Sequence, residues 1–346
     1  MMRQADGGIM GITFGAKQLV LPVLIPSISS FETVISPGNA LALQSLLSEP
    51  VTLVSAFDVD HIAGLREQIA EFRQDGKIVL LDSGGYESSR ISRYIPEGQT
   101  GAEARLLWSF EQFKHVVQSC ETDLVASFDY FLQEDDPSQS YSDFEIELLS
   151  NLQDHTSFIN AENLVPVIHL QNKAGTYFFD HSETRDICSR IASEFGPRFI
   201  AVPERELGAG IGERVAKVKE IVAALKNTET RLHILGCGNP LTFALLAKAG
   251  AAMGDGLEWC RTLIGPDYKL HHFQQADLFE EHEYKLPNAG ADYLRQNLSD
   301  YTAGTLVRNL RGLQQFNSDL AEAIDSGHLR AFIEQHFGKR AASFSL

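Results

Sequence analysis

Several stretches of the chain run apolar and then stop on a carboxylate or an amide. Asp58, Asp82, Asp129, Gln171, Glu204 and Asp255 each follow such a run, and a Gly236-Cys237-Gly238 turn follows another. Carboxylates gathered at one place raise each other's pKa and are costly unless they bind or react with something. Each residue also has a plainer alternative. An Asp after a strand is a common helix N-cap, because its oxygen accepts the open amides of the first turn, and Gln171 can simply begin a loop. Capping does not require a polar group after every strand, so the recurrence points to a carboxylate-lined enzyme site. The residues alone leave its substrate open.

The elements that must position these groups are short apolar runs alternating with longer amphipathic segments, the pattern of βα units and a parallel sheet. Eight strands are predicted, at 19–27, 51–58, 77–83, 123–129, 164–171, 199–204, 231–238 and 251–256. Between them, HIAGLREQIAEFRQDG and GERVAKVKEIVAALKN carry apolar stripes at helical spacing, and NPLTFALLAKAG opens on a cap-like Asn and a Pro and closes on Gly. Eight strands with intervening helices predict an α/β chain folded as an irregular (β/α)8 TIM barrel, with an open doubly wound sheet as the alternative. In such a barrel the C-terminal strand ends share one mouth, where chemistry is done. The predicted organisation is a short leader, 1–18, and one barrel domain, 19–346. Within that domain 257–346 is an irregular segment followed by C-terminal helices. GAGIGER (208–214) lacks a full phosphate-loop fingerprint and reads as a loop before a helix.

Composition narrows the class. The chain has 346 residues, 44% hydrophobic and 22% charged, an ordinary globular balance. It has neither an apolar run long enough for a bilayer nor the apolar core of a secretory signal, so the expected location is the cytoplasm, with no membrane contact. Cys120, Cys188, Cys237 and Cys260 are widely spaced without a CxxC pair, which argues against disulfides and structural zinc. His271 and His272 lack nearby cysteine partners, so no metal is expected. The net charge of −17 disfavours a large nucleic-acid footprint, because phosphates are held mainly by Lys and Arg.

Four stretches resemble the tRNA-guanine transglycosylases, and within that superfamily the divergent branch that handles 7-deazaguanine in DNA. LPVLIPSIS (21–29) is similar to the family's opening strand, and LLDSGGYE (80–87) to its DSGGFQ hallmark. LVASFD (124–129) is similar to the strand with the base-recognition Asp. HILGCGNPLTFALLAKAGAAMGD (233–255) is similar to the long stretch that ends on the nucleophile. The resemblance implies exchange of guanine for a 7-deazaguanine in DNA or tRNA without cutting the strand. It implies Asp255 as nucleophile and Asp82 as general acid/base. It places Ser83 and Gly84 in the backbone turn against the base, Tyr86 as a stacking aromatic, and Asp129 and Gln171 on the base edge. Gly236 falls in the turn near the nucleophile, and Arg261 matches an arginine that follows it. Homodimers are common in the family. Attack of a carboxylate on C1′ gives a covalent sugar intermediate, as in retaining glycosidases, while one acid/base group protonates the departing base and deprotonates the incoming one.

The departures from the family carry their own expectations. The family's zinc site uses three cysteines and a His. Here no cysteine follows Cys260, and Arg308 of RNL (308–310) replaces the His. No zinc and no other cofactor is therefore expected, and tRNA is the less favoured substrate. VPERELG (202–208) replaces a glycine-containing loop, so Glu204 or Glu206 is a candidate to bond a guanine-like edge, against a plain charged rim loop. Glu87 stands where the family has Gln. Two further readings remain: an N-glycoside hydrolase acting on a modified nucleoside or base, and a non-catalytic partner subunit. A basic strip beside the mouth, or a partner protein supplying positive charge, would favour nucleic acid.

Overall fold

The computed structural model describes residues 10–31, 34–85, 108–129, 141–170, 181–279 and 292–344. Two strands, β1 (Met10–Phe14) and β2 (Lys17–Leu21), form an antiparallel hairpin. Its two-residue turn uses Gly15 at φ 60°, a conformation that glycine adopts without a Cβ penalty. The chain then enters a parallel sheet of eight strands: β3 (Val23–Ile28), β4 (Val51–Ser55), β5 (Ile78–Asp82), β6 (Leu124–Ala126), β7 (Leu164–Val165), β8 (Phe199–Pro203), β9 (Arg231–Leu235) and β10 (Ala251–Gly256).

Each strand pairs with its neighbours in sequence, and β10 pairs with both β9 and β3. The last seam lies between β7 and β8. There Val167 bridges to Ala201, Ile168 N–H donates to Ala201 O at 2.9 Å, and Ala201 N–H donates to Pro166 O at 2.8 Å. The architecture is an α/β TIM-like barrel flanked by helices, with a helical C-terminal region.

Strand alternation sorts the side chains. Val23 and Ile25, Val51 and Leu53, Ile78 and Leu80, and Val165 and Val167 point inward and form one apolar cluster. Ile12, Phe14, Leu19 and Leu21 of the hairpin join that cluster, so the hairpin fills the lower end of the barrel. Each such buried side chain contributes about 1.5–3 kcal/mol. The outward residues meet the helices. Leu65, Ile69 and Phe72 bury one face of the helix Leu65–Gln74. In the helix Pro240–Lys248, Asn239 caps as its spacing predicts, accepting the Thr242 N–H at 3.2 Å.

Most strands are shorter than the sequence reading, β6 and β7 above all, and three segments are divided differently. Residues 10–18, read as leader, belong to the hairpin. The run 19–27 is two strands joined through Pro22, because the hairpin strand and the first barrel strand are both apolar. The run 51–58 stops as a strand at Ser55, and Ala56–His61 is a helix.

After β10 come a short helix, Glu258–Arg261, and an antiparallel pair, β11 (Thr262–Ile264) and β12 (Leu270–His272). The long helix Asp300–Asp325 then returns to the barrel. Its Asn317 brackets Leu24, accepting the N–H at 2.8 Å and donating to the carbonyl at 3.0 Å. Its buried Asn309 accepts from Ile264 N–H and donates to the carbonyls of Trp259 and Thr262, fastening the segment after β10. Arg308 is buried beside it. Among the described residues no helix is long and apolar enough to cross a membrane, and no group of three or more His, Cys, Asp or Glu is placed to hold a metal ion.

Candidate active site at the barrel mouth

The inward period of two continues past the apolar core and turns polar at the upper end. Val23 and Ile25 lead to Ser27, Ile78 and Leu80 to Asp82, Val165 and Val167 to His169, and Met253 to Asp255. These four line a cavity of about 490 Å3, within the ~300–1,000 Å3 span of small-molecule sites.

Asp255, 5% exposed, is bonded from three sides. Ser27 Oγ donates to its Oδ2 at 2.8 Å, and Gly236 N–H donates to Oδ1 at 3.2 Å. Fully buried His233 reaches Oδ1 through Nε2 at 3.0 Å. Among the described residues His233 Nδ1 has no partner. The tautomer that satisfies the pair therefore has Nε2–H donating to Asp255. These donors hold the carboxyl in one orientation at the cavity wall.

A second chain of polar groups starts at Ser83. Its hydroxyl donates to Asp129 Oδ2 at 2.9 Å and accepts the Gly85 N–H at 3.1 Å. Asp129 Oδ1 lies 3.4 Å from His169 Nε2, and His169 Nδ1 lies 3.0 Å from Glu206 Oε1. Burial opposes charge on His169, but the hydrogen bonds and fields of the two carboxylates outweigh it and raise the imidazole to about 9. His169 is therefore an imidazolium at neutral pH. The loop before Asp129 is fixed from behind: Phe128 N–H donates to His155 Nε2 at 2.8 Å. Burial keeps His155 neutral by lowering its pKa, and its Nδ1–H donates to Asn151 O at 2.6 Å.

The third part is Glu258, from the short helix after β10. Its carboxyl occupies a cradle between two glycines. A Cβ on Gly238 would fall 1.7 Å from Glu258 Oε2, and one on Gly256 would fall 2.5 Å from it. Burial pushes its pKa up, with Asp255 and Glu204 adding to the rise and Arg261 opposing it. The lining thus holds five carboxyl groups, Asp82, Asp129, Glu204, Asp255 and Glu258, against His169, Arg205 and Arg261. Glu204 pairs with Arg214, and Arg261 lies over the Phe31 ring at 5.8 Å. Cys237 is not a nucleophile here, because burial raises its thiol well above the usual range.

Of the residues singled out in the sequence, Asp82, Asp129, Glu204, Gly236, Asp255 and Arg261 line this cavity. Ser83 stands behind Asp129. Gly84, expected against a bound base, faces elsewhere. At φ 80° a Cβ there would fall 2.7 Å from Phe57 N and 3.0 Å from the Trp108 ring. The turn is braced by Trp108 Nε1–H, which donates to Ser83 O at 3.2 Å, and Phe57 packs edge-on to that indole at 5.5 Å. Of the two glycines in this turn, Gly85 is the one that lines the cavity. Asp58 is not at the mouth. It sits in the helix Ala56–His61, where its Oδ2 accepts the Ser30 N–H at 2.7 Å. Glu206 is 2% exposed, and Leu170 N–H donates to its Oε2 at 2.7 Å, so it backs His169 rather than sitting on a surface loop. Tyr86, Glu87 and Gln171 lie outside the described residues.

His169, His233, Ser27 and Glu258 were not singled out. The first three carry a signal in the alternation of their strands. Glu258 carries none, because its role depends on glycines brought to it by the fold. Set beside known proteins, the chain matches no family model and no curated sequence.

Proposed function

We propose that the chain is a transglycosylase that exchanges guanine for a 7-deazaguanine base in nucleic acid, DNA in preference to tRNA, through a covalent Asp255–sugar intermediate. The observation that carries this reading is that Asp255, oriented by Ser27, Gly236 and His233, lines one cavity together with Asp82. An Asp255 oxygen bonds to C1′ as the bond from C1′ to the base nitrogen breaks. That nitrogen takes the proton of Asp82. In the return half, Asp82 removes the ring N–H proton of the incoming base, whose nitrogen bonds to C1′ and displaces Asp255. Atoms and charge balance without a cofactor. A target in a duplex reaches such a cavity only when flipped out of the stack. Arg205 and Arg261, which line the mouth, are the arginines this reading assigns to the flanking phosphates, and a basic partner protein or a second copy would extend them.

The acidity of the lining favours one second reading. Five carboxyl groups at the mouth and a net charge of −17 suit a small, uncharged nucleoside whose Asp255 intermediate is resolved by water. Incubation with radiolabelled guanine and either DNA or tRNA, beside an Asp255→Ala control, decides between the two. The proposal expects label in the polymer, lost in the control. Free base released from a nucleoside, with no label in either polymer, would overturn it in favour of hydrolysis.

A further inference from the structure

We propose that Glu258 is a positioning residue for Asp255: lodged where the turn after β9 meets the end of β10, its side chain keeps the Gly236 N–H on the Asp255 carboxyl. This rests on the reading of Asp255 as the nucleophile and adds to it a residue that acts through the backbone of the turn.

The two oxygens of Asp255 are held from different strands. Oδ2 accepts from Ser27 near the end of β3, and Oδ1 from His233 on β9 and from Gly236 in the turn after it. None of these donors is on β10, so each must be placed against it. The short helix Glu258–Arg261, which begins three residues after Asp255, reaches both sides. On the Ser27 side, Trp259 Nε1–H donates to Ser27 O at 2.8 Å and fixes the backbone that carries that hydroxyl. Trp259 is itself held by Asn309, whose Nδ2 donates to the Trp259 carbonyl at 2.7 Å. On the Gly236 side the corresponding group is Glu258.

The turn and the strand end approach there with no side chain of their own between them. A Cβ on Gly256 would fall 2.5 Å from Gly238 Cα and 2.6 Å from Gly238 N, and one on Gly254 would fall 3.2 Å from Cys237 O. The Glu258 carboxyl lies against both glycines, with Oε2 only 1.7 Å from the position of a Cβ on Gly238 and 2.5 Å from that of one on Gly256. Packing this close fixes the turn, because its backbone shifts only by displacing the carboxyl. The ionisable groups around Glu258 are Asp255 on β10, Glu204 after β8, Arg261 on its own helix and the buried Cys237 thiol in the turn. Burial raises the Glu258 carboxyl, and Asp255 and Glu204 add to the rise against Arg261, which favours the uncharged acid in this place. An uncharged amide of the same shape should therefore serve there. A nucleophile misplaced by about 1 Å loses on the order of a hundredfold in rate, and a group that acts by alignment alone lowers kcat and kcat/KM together.

The test uses the full chain and two measurements: amide hydrogen exchange at Gly236, followed by NMR, and kcat and KM for incorporation of labelled guanine. In Glu258→Ala the Gly236 amide is expected to exchange about tenfold faster or more, the order of one hydrogen bond to a charged group. The same variant should lose at least tenfold in kcat, with KM within a few-fold of wild type. Glu258→Gln should recover most of both losses. A merely structural role would instead raise exchange throughout β9 and β10 alike. If Glu258→Ala does not fold, Glu258→Asp is read the same way, because it is one methylene shorter and withdraws the carboxyl from the two glycines. Wild-type exchange at Gly236 in the folded variant, faster exchange with an unchanged kcat, or no recovery in Glu258→Gln overturns the inference. If the wild-type protein incorporates no guanine, the base-exchange reading falls, and exchange at Gly236 still decides whether Glu258 holds the turn.

Discussion

Glu49 is 2% exposed and lies where the long C-terminal helix meets the barrel wall. Burial pushes its carboxyl up to about 8, against the lowering influence of Arg311, Gln314 and Lys77. Among the described residues its Oε1 has no hydrogen-bond partner. A buried carboxylate in that position would carry an incompletely compensated charge, so the folded protein keeps the proton. The unfolded chain releases it near the ordinary carboxyl value of 4.5. Between those two values the folded state binds the extra proton, and stability falls as pH rises, by about 1.4 kcal/mol per pH unit. From pH 4.5 to 7 that amounts to about 3 kcal/mol, and the loss ends near pH 8. Glu49→Gln keeps the shape of the protonated side chain and abolishes the titration. Urea denaturation at pH 5, 6, 7 and 8 should show the two proteins nearly equal at pH 5 and the variant about 3 kcal/mol more stable at pH 7. His169, raised to about 9, contributes stability that is complete below the imidazole's ordinary 6.5 and is lost as pH rises through 9. That slope is common to both proteins and cancels in the difference. A difference that stays flat from pH 5 to 8 would refute the reasoning.

Three further outcomes are expected. Gly238→Ala would place a Cβ 1.7 Å from Glu258 Oε2 and 3.0 Å from Gly256 Cα, driving the carboxyl from its cradle. In an assay of the proposed base exchange, kcat/KM should fall at least tenfold, while the melting temperature moves little. Gly84→Ala combines a left-handed backbone with a Cβ 2.7 Å from Phe57 N, so urea denaturation should show a loss of about 2–3 kcal/mol. Asp123 accepts from Lys17 Nζ at 2.8 and 2.9 Å, from Val79 N–H at 2.9 Å, and from Arg73. Asp123→Ala strands those donors and should cost about 3 kcal/mol by the same measurement, with faster amide exchange in the hairpin that Lys17 ties down.

The barrel was legible because its strands repeat one instruction: an apolar run, two residues per inward step, then a polar group. Ile78, Leu80 and Asp82 show it in full, as do Met253 and Asp255. His169 obeys the same rule after Val165 and Val167, but the end of that run drew attention to Gln171, which lies outside the described residues. Asp58 misled for the opposite reason. Ala56 and Phe57 keep the run apolar after the strand has become a helix at Ser55, so the carboxylate lies on another element. Pro22 hid a boundary between two strands that are each apolar. The His169–Glu206 pair and the Glu258 cradle were beyond reach, since each depends on residues that meet only when separate βα units close around one mouth.

The hairpin Met10–Leu21 has a kinetic consequence. With Ile12, Phe14, Leu19 and Leu21 filling the lower end, the described residues close that end and leave the mouth as the way into the cavity. Whatever leaves must use the opening through which its replacement arrives. Two bases exchanged at such a site cannot occupy it in passing order; the first must depart before the second enters. On the proposed base-exchange reading, initial-rate plots with the polymer and the incoming base varied should then be parallel lines, and an excess of either base should inhibit by occupying the site that the other needs.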